Sequence, residues 1–246
     1  MLLLVDAGNT RIKWAVAAAG SAPGAWLAHG AVTHAELDRL SAAWAPFRVQ
    51  RALVANVAGP ALGAQLDGVL PVPAQPFTAR AELAGLVNGY REPARLGADR
   101  FAAALGARTL VPHRALVVAT CGTATTVDGV SADGRFVGGM ILPGLGLMQA
   151  ALARGTAQLP ATAPGAGAPP TFADNTVDAI RSGCLAAQAG AIERACAQLP
   201  ADVCILSGGA AGHVAPLLSV AHRMLDNIVL VGLHAAAPFI DDAPHA

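Results

Sequence analysis

Apolar residues fall in short runs separated by small and polar clusters. Residues 2–5 are four apolar positions in a row, the length of a buried strand. Asp6-Ala7-Gly8-Asn9-Thr10 is turn chemistry. Residues 12–19 and 26–32 predict two more strands, with a turn over 20–24. Thr33-His34-Ala35-Glu36, preceded by Val32, has capping-box form and predicts a helix from 34 to about 44. Residues 51–56 read as a strand and Gly59-Pro60 as the start of a short helix. Residues 71–76 fit an edge strand or loop, with helix or loop continuing to Pro93. Residues 97–108 read as a helix with Phe101, Ala104 and Leu105 on one face.

The pattern then restarts. Residues 116–119 and 126–130 predict strands around the small-residue turn Thr120-Cys121-Gly122-Thr123-Ala124-Thr125. Asp133-Gly134 signals a hairpin into a strand over 136–140. A long helix is expected over 175–199, a strand over 203–206, a late strand over 228–231 and a final helix. Residues 161–170, rich in Ala, Pro and Gly, read as a flexible loop. Laying residue 2 on residue 116 places Asp6 on Thr120, Gly8 on Gly122 and Asn9 on Thr123. The repeat predicts two α/β domains, residues 1–113 and 114–246, with a ligand cleft between them.

Composition narrows the function classes. The chain has 246 residues, 54% apolar and 13% charged, which excludes a disordered chain. Sixteen basic residues balance sixteen acidic ones without a block of like charge. This argues against nucleic-acid or membrane binding by bulk electrostatics. No signal-peptide core or membrane-length apolar run is present, and no Cys-x-x-Cys pair, so a reduced, cytoplasmic protein without a zinc framework is expected. Walker and dinucleotide loops, a nucleophile elbow and His-Glu-x-x-His are all absent. The seven histidines show no ligand spacing and read as solvated or core residues.

The candidate chemistry begins with Asp6-x-Gly8-Asn9-Thr10-x-x-Lys13, which contains the only lysine of the chain. A carboxylate at a strand end can hold a hydrated Mg²⁺. Gly8 allows close backbone approach to a phosphate, and Asn9 and Thr10 can donate to its oxygens. Lys13 can act as a point charge on a transferring phosphoryl group. The alternative is an ordinary turn with a solvated lysine. Gly122 and Thr123 leave room for phosphates, or are a packed turn of small residues. Asp99, in Gly97-Ala98-Asp99-Arg100, either charges a helix start or is a general base on an attacking alcohol. Arg100 could grip a substrate carboxylate. Residues 138–144 and 207–210 are Gly-rich turns after strands, compatible with packing or with nucleotide contact.

Taken together, residues 2–14 (LLLVDAGNTRIKW), 96–103 (LGADRFAA), 120–128 (TCGTATTVD), 138–145 (GGMILPGL), 175–176 and 207–209 resemble the type III pantothenate kinases of the sugar kinase, actin and heat-shock chaperone superfamily. The resemblance implies two tandem ribonuclease-H-like domains and ATP-dependent phosphorylation of pantothenate to 4'-phosphopantothenate, the first step of coenzyme A biosynthesis. It implies a homodimer with active sites at the interface. Asp6, Gly8, Asn9, Thr10 and Lys13 would bind ATP and Mg²⁺, with Asp6 the metal ligand, and Gly122 and Thr123 would touch the phosphates. Asp99 would be the proton acceptor. Tyr90, Gly97, Ala98, Asp99, Arg100 and Thr176 would line the pantothenate site, Thr176 from the neighbouring subunit. Thr120 stands where many members carry an Asp that binds K⁺ or NH₄⁺, so weak or absent potassium activation is expected. Two alternatives remain: a kinase of another small alcohol, or a non-catalytic transcriptional accessory protein of the same fold.

Overall fold

The opening apolar run forms β1 (Leu2–Ala7), and its hydrogen-bonded neighbours are β2 (Arg11–Ala17) and β4 (Arg51–Asn56), antiparallel and parallel respectively. These contacts come from a computed structural model that describes residues 1–163, 165 and 167–240. β3 (Ala28–Thr33) follows β2. A 3-10 turn at His34–Glu36, closed by the expected capping box, then leads into α1 (Arg39–Trp44), so the helix foreseen over 34–44 is split in two. After β4 come α2 (Pro60–Asp67) and the edge strand β5 (Ala74–Pro76). The five strands lie in the order β3-β2-β1-β4-β5.

Leu3, Val5, Ile12, Trp14, Leu40 and Trp44 form one buried core. Each fully buried aliphatic side chain there contributes about 1.5–3 kcal/mol of transfer free energy. Trp14 meets Trp44 edge to face at 6.3 Å. Gly30, opposite Trp14 in the register, leaves the room this indole occupies, because a Cβ there would lie 2.9 Å from the ring.

The stretch to Pro93 is neither helix nor plain loop but a small hairpin, β6 (Glu82–Leu83) and β7 (Leu86–Asn88), turned by Gly85 at φ +76°. α3 (Ala98–Leu110) follows, with Arg100 to Ala107 buried. A second unit comprises residues 113–226. It contains β8 (Leu116–Cys121), β9 (Ala124–Val130), β10 (Arg135–Pro143), α4 (Leu145–Gly155), α5 (Thr176–Gln198), β11 (Val203–Ser207), α6 (Ala211–Val214) and β12 (His222–Met224). Its strands run in the order β12-β11-β8-β9-β10. α5 covers the β8–β11 face, burying Val117, Ile192, Cys204 and Leu206 together. α4, which follows the Gly/Pro turn over 138–144, has no counterpart among the elements expected from the sequence. Of the expected loop over 161–170, Pro164 and Ala166 lie outside the described residues, and the rest is in neither helix nor strand.

Two expectations need correction. Residues 228–231 are not a strand but the start of α7 (Ile228–Ala236), in which every residue is buried. The division at 113/114 with a second domain to 246 also changes: from Asn227 the chain returns to the first unit. The physical reason is close helix packing. Gly232 of α7 lies so near the Ala102 carbonyl of α3, and Gly106 so near the Ile228 carbonyl, that a Cβ at either would collide. Of the former second domain, residues 241–246 lie outside the described residues.

Candidate active site

Asp6 is the penultimate residue of β1; by strand alternation it lies on the face opposite Leu3, Val5 and Ala7, which are buried in the first core. Lys13 is its direct cross-strand partner on β2. The turn is drawn tight by the Gly8 N–H donating to the Arg11 carbonyl at 3.1 Å. A Cβ at Gly8 would lie only 3.3 Å from that same oxygen. Asn9 and Thr10 are exposed at the tip. Burial pushes the Asp6 carboxyl up to about 7; the Lys13 charge opposes this and the nearby Asp99 charge adds to it.

Asp99 stands in the first turn of α3, where its Oδ1 accepts the Arg100 N–H at 2.8 Å. The first of the two sequence readings is what the structure displays, since Asp99 satisfies an unpaired amide of the helix start; its charge also acts on Asp6. Burial raises its carboxyl, with the Arg100 N–H and guanidinium pulling the other way. Gly97 precedes the helix, and a Cβ there would lie 2.7 Å from Asp99 Oδ1. Ala98 is the first helical residue and is half-buried.

Arg100 is buried, unlike a typical surface arginine. Its Nη1 donates to the Tyr90 hydroxyl at 2.6 Å, and its guanidinium lies 5.5 Å from the centre of the Tyr90 ring. The loop that carries Tyr90 is held by Asn88, which sequence reasoning missed. Asn88 is buried, accepts the Tyr90 N–H at 3.0 Å and donates to the Pro93 carbonyl at 3.0 Å. An Asn two residues before the only tyrosine, in an Asn-Gly pair, was the available signal.

In the second unit, Gly122 and Thr123 form the exposed turn between β8 and β9, closed by the Gly122 N–H to the Ala124 carbonyl at 3.0 Å. The two Gly-rich turns noted in the sequence pack around the end of β8. The Gly144 N–H donates to the Thr123 carbonyl at 3.0 Å, and a Cβ at Gly144 would collide with the Gly122 carbonyl. Gly208, at φ +96°, approaches the Cys121 carbonyl as closely. Buried Gln188 of α5 steadies this arrangement by donating to the Pro143 carbonyl at 2.8 Å. Thr120 is half-buried and faces Ser207 across the β8–β11 ladder. Thr176 is exposed at the first residue of α5, capped by Asn175, and no hydrogen bond joins it to the glycine turns among the described residues.

The first-unit residues thus form two linked groups, Asp6–Lys13–Asp99 and Tyr90–Arg100. Among the described residues no three His, Cys, Asp or Glu side chains converge as a metal cage. That fits Mg²⁺, which takes one or two carboxylates and completes its shell with water and phosphate oxygens. Asp6 and Asp99 supply hard oxygen donors whose burial penalty a cation would offset.

A family model described as type III pantothenate kinase matches residues 2–198. A type III pantothenate kinase from Janthinobacterium sp. (strain Marseille) is 54% identical over 254 aligned residues, covering 96% of this chain and 97% of that protein. Among solved structures, a protein from Campylobacter jejuni described as a Baf family transcriptional activator superposes with a TM-score of 0.65 at 19% identity, covering 96% and 98% of the two chains. One from Sinorhizobium meliloti described as a 2-dehydro-3-deoxygalactonokinase gives 0.60 at 18%, covering 99% and 100%. The structural likenesses show the sugar-kinase, actin-like fold, and the sequence matches show that the chain belongs to the type III pantothenate kinase family.

Proposed function

We propose that this chain transfers the γ-phosphoryl group of ATP to the primary alcohol of pantothenate, the first step toward coenzyme A. The observation that carries the residue assignment is buried Asp6 paired across the hairpin with half-buried Lys13 and acted on by the charge of half-buried Asp99 at a helix start. Asp99 takes the proton of the attacking hydroxyl, whose oxygen then forms a bond to the γ-phosphorus as the bond to ADP breaks. Lys13 places a positive charge near the transferred group, and Asn9 and Thr10 donate to phosphate oxygens. Asp6 would hold Mg²⁺, which when bound neutralises charge on the β- and γ-phosphates. Gly122 and Thr123 offer a second phosphate-facing turn. Gly97, Ala98, Tyr90 and Arg100 bind pantothenate, with the Arg100 fork on its carboxylate.

Thr176 serves pantothenate from a neighbouring subunit, in a homodimer. With Thr120 in place of a carboxylate, K⁺ gives no large rate increase over Na⁺ at matched ionic strength. The balance of sixteen basic and sixteen acidic residues supports a small-molecule enzyme rather than a nucleic-acid binder. No helix among the described residues is long and apolar enough to cross a membrane, and the reading is of a cytoplasmic enzyme. The test is direct: purified chain with Mg-ATP and pantothenate must yield phosphorylated pantothenate, and absence of product overturns the reading.

A further inference from the structure

The histidines show no ligand spacing, yet one of them touches the phosphate hairpin. His34 opens the 3-10 turn after β3, and its Nε2 lies 2.8 Å from the carbonyl oxygen of Gly8. A carbonyl has no proton to offer, so Nε2 carries the hydrogen and donates it. The half-buried ring sits on a braced backbone. Thr33 donates its N–H and its hydroxyl to Glu36 Oε2 at 3.1 and 2.9 Å, and Arg39 pairs with the other oxygen. The β2–β3 register places Thr33 opposite Arg11, at the mouth of the hairpin itself.

The consequence lies in one peptide plane. The Gly8 C=O and the Asn9 N–H belong to the same trans peptide and point in opposite directions. Anchoring the carbonyl on His34 therefore aims the Asn9 N–H away from His34 and turns a partial negative charge aside. The Gly8 N–H is already engaged by Arg11. The Asn9 N–H makes no hydrogen bond among the described residues, and Asn9 is exposed. We propose that His34 is a positioning residue for nucleotide binding, gripping the Gly8 carbonyl so that the Asn9 amide is presented to an ATP phosphate oxygen. This rests on the reading that the hairpin holds the nucleotide's phosphates.

The test compares His34→Gln, which keeps an amide donor at similar reach, with His34→Met, which has similar length and no donor. Losing one such bond should weaken Mg-ADP binding by calorimetry roughly 3–10-fold in His34→Met. The KM for ATP should rise by a similar factor, more than kcat falls, with the pantothenate KM unmoved. His34→Gln should recover most of the loss. The proposal is overturned if His34→Met binds Mg-ADP like the parent. It is equally overturned if His34→Gln does no better than His34→Met, or if only the melting temperature changes. Should His34→Met not fold, the His34 ring resonances of the parent decide: a shift on adding Mg-ADP supports the proposal, and no shift overturns it. A parent that binds Mg-ADP but leaves pantothenate unphosphorylated defeats the proposed activity and leaves the binding comparison to decide on His34. A parent that does not bind Mg-ADP overturns both.

Discussion

Asp99 combines two demands that usually conflict: a carboxylate at a helix start is stabilising when charged, yet this one is buried enough to hold its proton more tightly than usual. If it aims and deprotonates the alcohol, Asp99→Asn lowers kcat by about 10²–10⁴-fold while Mg-ADP binding persists; steady-state kinetics and calorimetry check both. Gly97→Ala probes the same group from outside. The added methyl displaces a short, movable carboxylate rather than backbone, so the melting temperature should change little. Turnover should fall about tenfold, since small misplacements of a reacting group are costly. Normal turnover in either variant removes Asp99 from the base role.

At the scale of elements, the α3–α7 contact is the least forgiving. Gly232→Ala drives a methyl into the Ala102 carbonyl, and the helices cannot separate without opening a core buried along all of α7. A loss of about 3 kcal/mol in urea unfolding is expected. α7 also carries His234, buried against Trp26 with ring centres 5.4 Å apart and its Nδ1 unpartnered. Burial lowers its pKa below the ordinary value. The unfolded imidazole takes up a proton below about pH 6.5, and the folded one only at lower pH. Between those points the unfolded chain binds more protons, so stability falls as pH drops through that window and levels off once the folded ring is also charged. The urea midpoint should therefore fall more between pH 7 and 5 in the parent than in His234→Phe; equal slopes would refute this. α7 also shows why its type was not legible. A helix with all faces buried has no amphipathic period, so residues 228–231 read as a strand. The β6–β7 hairpin was hidden for the opposite reason, being too short to show alternation. By contrast, β1, β4, β8 and β11 were plain because each is a compact apolar run.

On the scale of the whole chain, the first unit is built, among the described residues, from two distant stretches, residues 1–112 and 227–240. Arg51 of β4 ties the ends together, donating to Gln75 and to the Ile240 carbonyl at 2.9 and 3.0 Å. A chain ending at Asp226 should leave the first unit without the helix that covers α3. Trp14, Trp26 and Trp44 all belong to that unit, so their fluorescence reports on it alone. The truncated chain should show a red-shifted, solvent-exposed spectrum and no cooperative unfolding of that signal; a native spectrum would show that α7 is dispensable.

By itself the amino-acid order determined the local chemistry of this protein: the Asp6–Lys13 turn, the Gly122–Thr123 turn, the helix start at Gly97–Asp99 and the buried strands. Each depends on neighbours a few residues apart, where turn geometry, capping and strand burial are written directly in residue type. Only the tertiary structure decided that Asp99 lies beside Asp6, that Tyr90 holds Arg100, that α7 belongs to the first unit and that His34 grips Gly8. Those relations join residues far apart in the chain, and they are set by which surfaces exclude water together rather than by any local preference.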